Sequence, residues 1–236
     1  MGEMVEFPSN GHGASGYLAV PPSGSGPGLI VIQEWWGLVP HITDVVDRFA
    51  AAGFVALAPD LYHGEQTTEP DEAGKLMMAL NLERAARDLG GAIAHLRSLS
   101  AVTGDRVGVT GFCMGGGLTL VAACAFPDAV GAAVPWYGLI PWPDAEPDWT
   151  RLEAPVLGHY AANDGFFGPD AARALEQRLR DLGKTVDLRI HPGVGHAFFN
   201  DARPEVYDPE TAAQALAVRL TDTASAMGLT LAVLRT

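Results

Sequence analysis

The chain has 236 residues, 48% of them apolar and 18% charged, with a formal net charge of −13. This is enough material for one large core, so a single domain over residues 1–236 is expected, and no uncharged apolar run of about 18 residues is available to cross a membrane. The acidic balance argues against nucleic acid or an anionic membrane as partner, and residues 1–10 do not resemble an export signal, so a cytoplasmic protein is expected.

In chain order, Gly16–Val20 reads as a strand and Pro21–Gly28 as a loop rich in Pro, Gly and Ser. Leu29–Gln33 is a continuous apolar run that suits a buried strand. His41–Ala52 places Ile42, Val45, Val46 and Phe49 at helical spacing, with Gly53 as the cap that follows. Phe54–Ala58 reads as a second buried strand. Glu72–Leu99 reads as one or two helices, interrupted at Gly90-Gly91. Arg106–Thr110 is a strand, Met114–Ala125 an apolar helix, and Gly131–Trp136 and Pro155–Tyr160 are strands. Pro169–Leu182 is a helix capped by Gly183, Thr185–Ile190 a strand nearer the sheet edge, and Pro209–Met227 a final helix. Strands alternating with helices, and apolar on both faces, predict a mostly parallel central sheet with helices on both faces. In such sheets the reactive groups stand on loops beyond the C-terminal strand ends.

Three of those loops carry chemistry. After Arg106–Thr110 comes Gly111-Phe112-Cys113-Met114-Gly115-Gly116. A nucleophile on a sharp strand-to-helix turn needs small residues two before and two after it, and Gly111 and Gly115 supply them. The helix that follows directs its positive end at Cys113, which favours a thiolate. A buried structural cysteine in a Gly-rich turn is the plainer alternative. The other cysteine, Cys124, would lie ~16 Å away along the helix, too far for a disulfide, and reads as a packed core thiol. After Pro155–Tyr160, Asp164 stands where an acid can fix an imidazole tautomer, although Asp-Gly alone is only a turn signal. After Thr185–Ile190, His196 follows Gly195. The chain order nucleophile, acid, histidine is that of α/β-hydrolases.

A fourth feature is Gln33-Glu34-Trp35-Trp36-Gly37 at the end of the first long buried strand. The backbone N–H groups of Trp35 and Met114 are the expected oxyanion donors. Glu34 reads either as a surface acid or as a carboxylate that governs ionisation of the nearby thiol. Trp36, Tyr137 and Phe198 flank the motifs and suggest an apolar pocket, and Arg203 is a weaker candidate for contact with substrate. Trp136, Trp142 and Trp149 surround a Pro-rich loop and could wall a pocket or pack it. The histidines show no metal-ligand spacing, so neither a metal nor a cofactor is expected.

The chain resembles the dienelactone hydrolase family. The matching segments are Q-E-x-x-G at Gln33–Gly37, A-P-D-L-Y at Ala58–Tyr62, G-F-C-M-G-G at Gly111–Gly116, W-Y-G at Trp136–Gly138, Asn163-Asp164 and G-H-A-F at Gly195–Phe198. The resemblance implies an α/β-hydrolase fold and a triad of Cys113, His196 and Asp164. It also implies that Glu34 pairs with the cysteine when substrate binds. The family's carboxylate-binding arginines are missing: Asn200 stands at one place, and Glu69-Pro70-Asp71-Glu72 at the other. The expected substrate is therefore a small neutral ester, lactone or thioester, cleaved through an acyl-enzyme by a monomer or small homo-oligomer. A redox or electrophile sensor and a non-catalytic ligand binder are the alternatives on the same scaffold.

Overall fold

All seven residues of Gly26–Ile32 and all five of Val55–Pro59 are buried, as strands covered on both faces must be. The computed structural model describes residues 1–9, 11–142 and 145–216. Its strands are β1 (Glu3–Ser9), β2 (His12–Ala19), β3 (Gly26–Ile32), β4 (Val55–Pro59), β5 (Val102–Phe112), β6 (Val130–Trp136), β7 (Val156–Ala161) and β8 (Val186–His191). They form an 8-stranded sheet in the order β1-β2-β4-β3-β5-β6-β7-β8. From β4 to β8 every pairing is parallel, and only β1 and β2 run antiparallel to their neighbours. This is the α/β-hydrolase fold.

The helices are α1 (Pro40–Ala51), α2 (Pro70–Ala79), α3 (Leu82–Ser98), α4 (Met114–Ala125) and α5 (Pro169–Asp181). One core layer joins the sheet to α3 and α4 through Leu89, Ile93, Leu96, Leu118 and Leu120. The other joins it to α1 through Ile42, Val46 and Phe49, with Phe112, Phe198 and Phe199 in the same layer. The Cys113 turn lies at the C-terminal end of the central strand β5, between the two layers. Among the described residues no helix is long and apolar enough to cross a membrane.

Two features depart from the sequence reading. β1 has no counterpart in it, because Glu3, Met4 and Glu6 are exposed and only Phe7 and Ser9 are buried. The signal is that of a short charged edge strand. The helical break falls at Leu80-Asn81, and α3 runs straight through Gly90-Gly91. The Asn81 side chain caps α3 by accepting from the Arg84 N–H at 2.9 Å. The two glycines serve close packing: a Cβ at Gly91 would lie 2.5 Å from the Pro8 carbonyl oxygen, and one at Gly90 2.9 Å from the Phe126 ring. They let the helix lie against β1 and the end of α4. Trp136, Trp142 and Trp149 are all buried and pack in the core. Residues 209–216 are helical, and the rest of the expected helix Pro209–Met227 lies outside the described residues.

Candidate active site

Cys113 joins β5 to α4 with φ 55° and ψ −119°. A non-glycine residue in this region costs roughly 1–3 kcal/mol, so its surroundings must hold it there. The Cys113 N–H donates to the Trp136 carbonyl at 3.0 Å, and its own carbonyl accepts from the Gly116 N–H at 2.9 Å. The flanking glycines are needed sterically. A Cβ at Gly111 would meet the Gly115 carbonyl oxygen at 2.2 Å, and one at Gly115 would meet those of Ile32 and Gln33 at 2.5 Å. Gly138 is tighter still, since its Cβ would lie 1.8 Å from the Cys113 carbonyl oxygen. Both cysteines are free and buried. Cys124 packs in the α4 core, where burial pushes its thiol up to about 11.

The loops after β7 and β8 bring Asp164 and His196 together. His196 Nδ1 lies 2.8 Å from Asp164 Oδ2, and the Cys113 side chain is close enough to act electrostatically on the imidazole. Asp164 Oδ1 accepts from the N–H groups of Phe166 at 2.7 Å and Phe167 at 3.0 Å. Both oxygens of the acid are thereby engaged. Burial alone would raise the Asp164 pKa, but the hydrogen bond and charge of His196 and these two amides hold it below the usual carboxylate range. Burial alone would likewise lower the His196 pKa. Its bond to Asp164 and the influence of Cys113 outweigh that and raise it to about 10.

Glu34 is 1% exposed. Its Oε2 accepts a 2.7 Å hydrogen bond from Asn200 Nδ2, while Oε1 has no hydrogen-bond partner among the described residues. Burial raises its pKa, against the opposing charges of His196 and Arg203 and the Asn200 hydrogen bond. The surface reading of this acid is therefore wrong. Tyr137 is fully buried with φ 34°, and its ring meets His196 edge-on at 5.3 Å between centroids. Its hydroxyl likewise finds no partner among the described residues. Burial, then the charges of Glu34 and Cys113, push its pKa well above the usual tyrosine range. The N–H groups of Trp35 and Met114 make no backbone hydrogen bond among the described residues.

The remaining candidates divide. Trp36, Asn200 and Arg203 line a cavity of about 600 Å³ together with Val39, His41 and Thr67. The Arg203 guanidinium lies 5.5 Å over the Trp36 ring and its Nε is 2.9 Å from Glu205 Oε1. Phe198 is fully buried, packed against Trp136, Tyr137 and His191, and supports the wall from behind. Sequence reasoning missed three contacts. Asn200 holds Glu34, and Tyr62, whose hydroxyl meets the Met114 sulfur at 3.2 Å, lies within the electrostatic reach of Cys113. Phe166 and Phe167 hold Asp164 through their amides. For the last pair the signal was present, since an Asp in a turn accepts from the N–H groups two and three residues on.

Comparison with known proteins gives the family. A protein of Aquifex pyrophilus, "Protein usf", is 41% identical over 217 residues, covering 89% of this chain and 92% of its own. A "Putative carboxymethylenebutenolidase" of Aquifex aeolicus is 36% identical over 226 residues, covering 91% and 94%. The crystal structure of a "Putative Dienelactone Hydrolase" from Klebsiella pneumoniae superposes with a TM-score of 0.85 at 30% identity, covering 95% of this chain and 98% of that one. Residues 14–223 match the sequence profile of the Dienelactone hydrolase family, and the chain belongs to that family.

Proposed function

We propose that the protein hydrolyses small esters or lactones, thioesters included, through an acyl-enzyme on Cys113. The observation that carries this reading is the 2.8 Å contact of the His196 imidazole with Asp164, with Cys113 acting on the same ring from the strained start of α4. In this reading the Cys113 thiolate attacks the acyl carbon and the carbonyl π pair moves to oxygen. The Trp35 and Met114 N–H groups receive that oxyanion, an interaction worth roughly 3–4 kcal/mol of barrier per donor. The intermediate collapses, the C–O bond to the leaving group breaks, and His196 Nε2 gives its proton to the departing oxygen. The neutral imidazole then takes a proton from water, which attacks the thioester and releases the acid and the thiolate. Asp164 keeps the imidazole in the tautomer that presents Nε2 to both steps. Glu34 exchanges a proton with the thiol and does not attack.

The substrate reading follows from charge. Arg203 is the cation at the cavity wall, and Glu205 already pairs with it. An anionic ligand would lose hydration and gain little there, which supports neutral substrates. Cys113→Ala is expected to abolish hydrolysis of a neutral ester panel without loss of fold. Mass spectrometry of wild type quenched during turnover should find the acyl group on the Cys113 peptide. Retained activity in the variant would overturn the reading.

A further inference from the structure

Phe166 is the large apolar side chain that the site leaves in water: it is 70% exposed. Its ring centroid lies 5.1 Å from that of His196 and 6.2 Å from that of Trp35, both within the range of direct aromatic contact. Its backbone is anchored, because its N–H donates to Asp164 Oδ1 at 2.7 Å. A phenylalanine fixed in this way and left exposed forgoes apolar burial that a bound ring could supply.

The two tryptophans divide the site mouth. Trp35 and Trp36 meet edge-on at 5.1 Å; Trp35 contacts Phe166, which lies against His196, while Trp36 lines the 600 Å³ cavity with Arg203. An ester brings two arms to such a site. The arm on the breaking bond must leave on the side of the group that protonates it, and that group is His196. The other arm remains on the acyl-enzyme.

From this we infer that Phe166 and Trp35 form the leaving-group subsite, selective for a flat aromatic alcohol, while the acyl arm occupies the cavity beside Trp36. The inference rests on the ester-hydrolase reading above. In the step concerned, the Cys113 Sγ–C bond forms, the C–O bond to the aryl group breaks, and the phenolic oxygen takes the proton from His196 Nε2. The ring stacked against Phe166 departs as the neutral phenol. Phe166 touches the departing ring and no reacting atom, so it acts on specificity.

The test uses phenyl acetate and 2-naphthyl acetate, whose leaving groups have closely matched acidity, together with phenyl butyrate. In Phe166→Ala the naphthyl-to-phenyl ratio of kcat/KM should fall about tenfold, the worth of one aromatic contact, mostly through KM. The butyrate-to-acetate ratio should stay within twofold. Phe166→Trp should restore the first ratio, and Phe166→Leu should restore it only in part. The side chain is exposed, so its removal opens no core cavity, and a thermal melt of each variant checks the fold. A naphthyl-to-phenyl ratio unchanged in Phe166→Ala overturns the inference, as does a change in the butyrate-to-acetate ratio instead. Cys113→Ala assayed on the same esters separates the two readings. If it is inactive while Phe166→Ala is neutral, only the subsite fails; if it is active, the hydrolase mechanism fails first.

Discussion

The amide of Asn200 donates to Glu34 at 2.7 Å, and both side chains are buried. A neutral donor compensates a buried carboxylate only in part, and the Glu34 pKa is accordingly raised above 4.5 by burial. The folded protein therefore binds this proton more tightly than the unfolded chain. Stability contributed by the protonated form is complete below about pH 4.5 and is lost as pH rises through the higher folded value. Glu34→Gln should remove that loss. Its melting temperature relative to wild type should be higher at pH 8 than at pH 4, and its Cys113 should react with iodoacetamide at a changed rate. Parallel melting curves across this range and an unchanged alkylation rate would leave Glu34 without a role in either.

Asp164→Asn should lower turnover by about 10⁴, the scale of the comparable change in a serine triad. An amide no longer fixes the imidazole tautomer. A loss of less than about tenfold would mean that the orienting acid lies elsewhere.

The pH profile follows from His196, whose pKa stands at about 10 against an ordinary 6.5. In the proposed mechanism the imidazolium protonates the leaving group, and it persists until that value, so kcat/KM for a neutral ester should fall on the alkaline side near pH 10. The same proton contributes stability in full below about pH 6.5, and this is lost as pH rises through about 10. Asp164→Asn removes one partner that raises the pKa and should move the alkaline fall of any residual activity to lower pH. An alkaline limb that stays in place would assign the transition to another group.

Gly138→Ala should damage the site while leaving every polar side chain in it unchanged. The new methyl would lie 1.8 Å from the Cys113 carbonyl oxygen, a contact that backbone must move to relieve. The expected cost is about 1–3 kcal/mol in stability, with a loss of turnover larger than that at Gly74, where an added Cβ meets nothing within 4 Å. Equal effects of Gly138→Ala and Gly74→Ala on turnover would show that this packing does not position the nucleophile.

For substrate charge, a matched pair of lactones with and without a carboxylate should favour the neutral member. Glu205→Gln removes the partner that Arg203 holds at 2.9 Å and should improve kcat/KM for the anionic member, most strongly at low ionic strength. Should the wild type prefer the anionic lactone, and Arg203→Ala remove that preference, Arg203 would be the carboxylate contact.

The sequence by itself determined the sheet and the loops that follow its strands. Buried strands such as Leu29–Gln33 announce themselves because apolar runs have no solvent face to encode, and helix α4 was bounded at Met114–Ala125 because a glycine-flanked turn and an apolar run meet there. The positions of Cys113, Asp164 and His196 in the fold were legible because each follows its own strand, and strand ends are where a parallel sheet exposes loops. Tertiary structure decided what depends on approach between distant segments. Gly90-Gly91 looks like a helix break to local propensity, yet its meaning is the closeness of Pro8 and Phe126. The bond between Glu34 and Asn200 spans 166 residues of chain and has no local signature. The placement of Phe166 against His196 likewise follows from the loop after β7 folding over the loop after β8. Periodicity records which face of a segment is buried; it does not record which other segment covers that face.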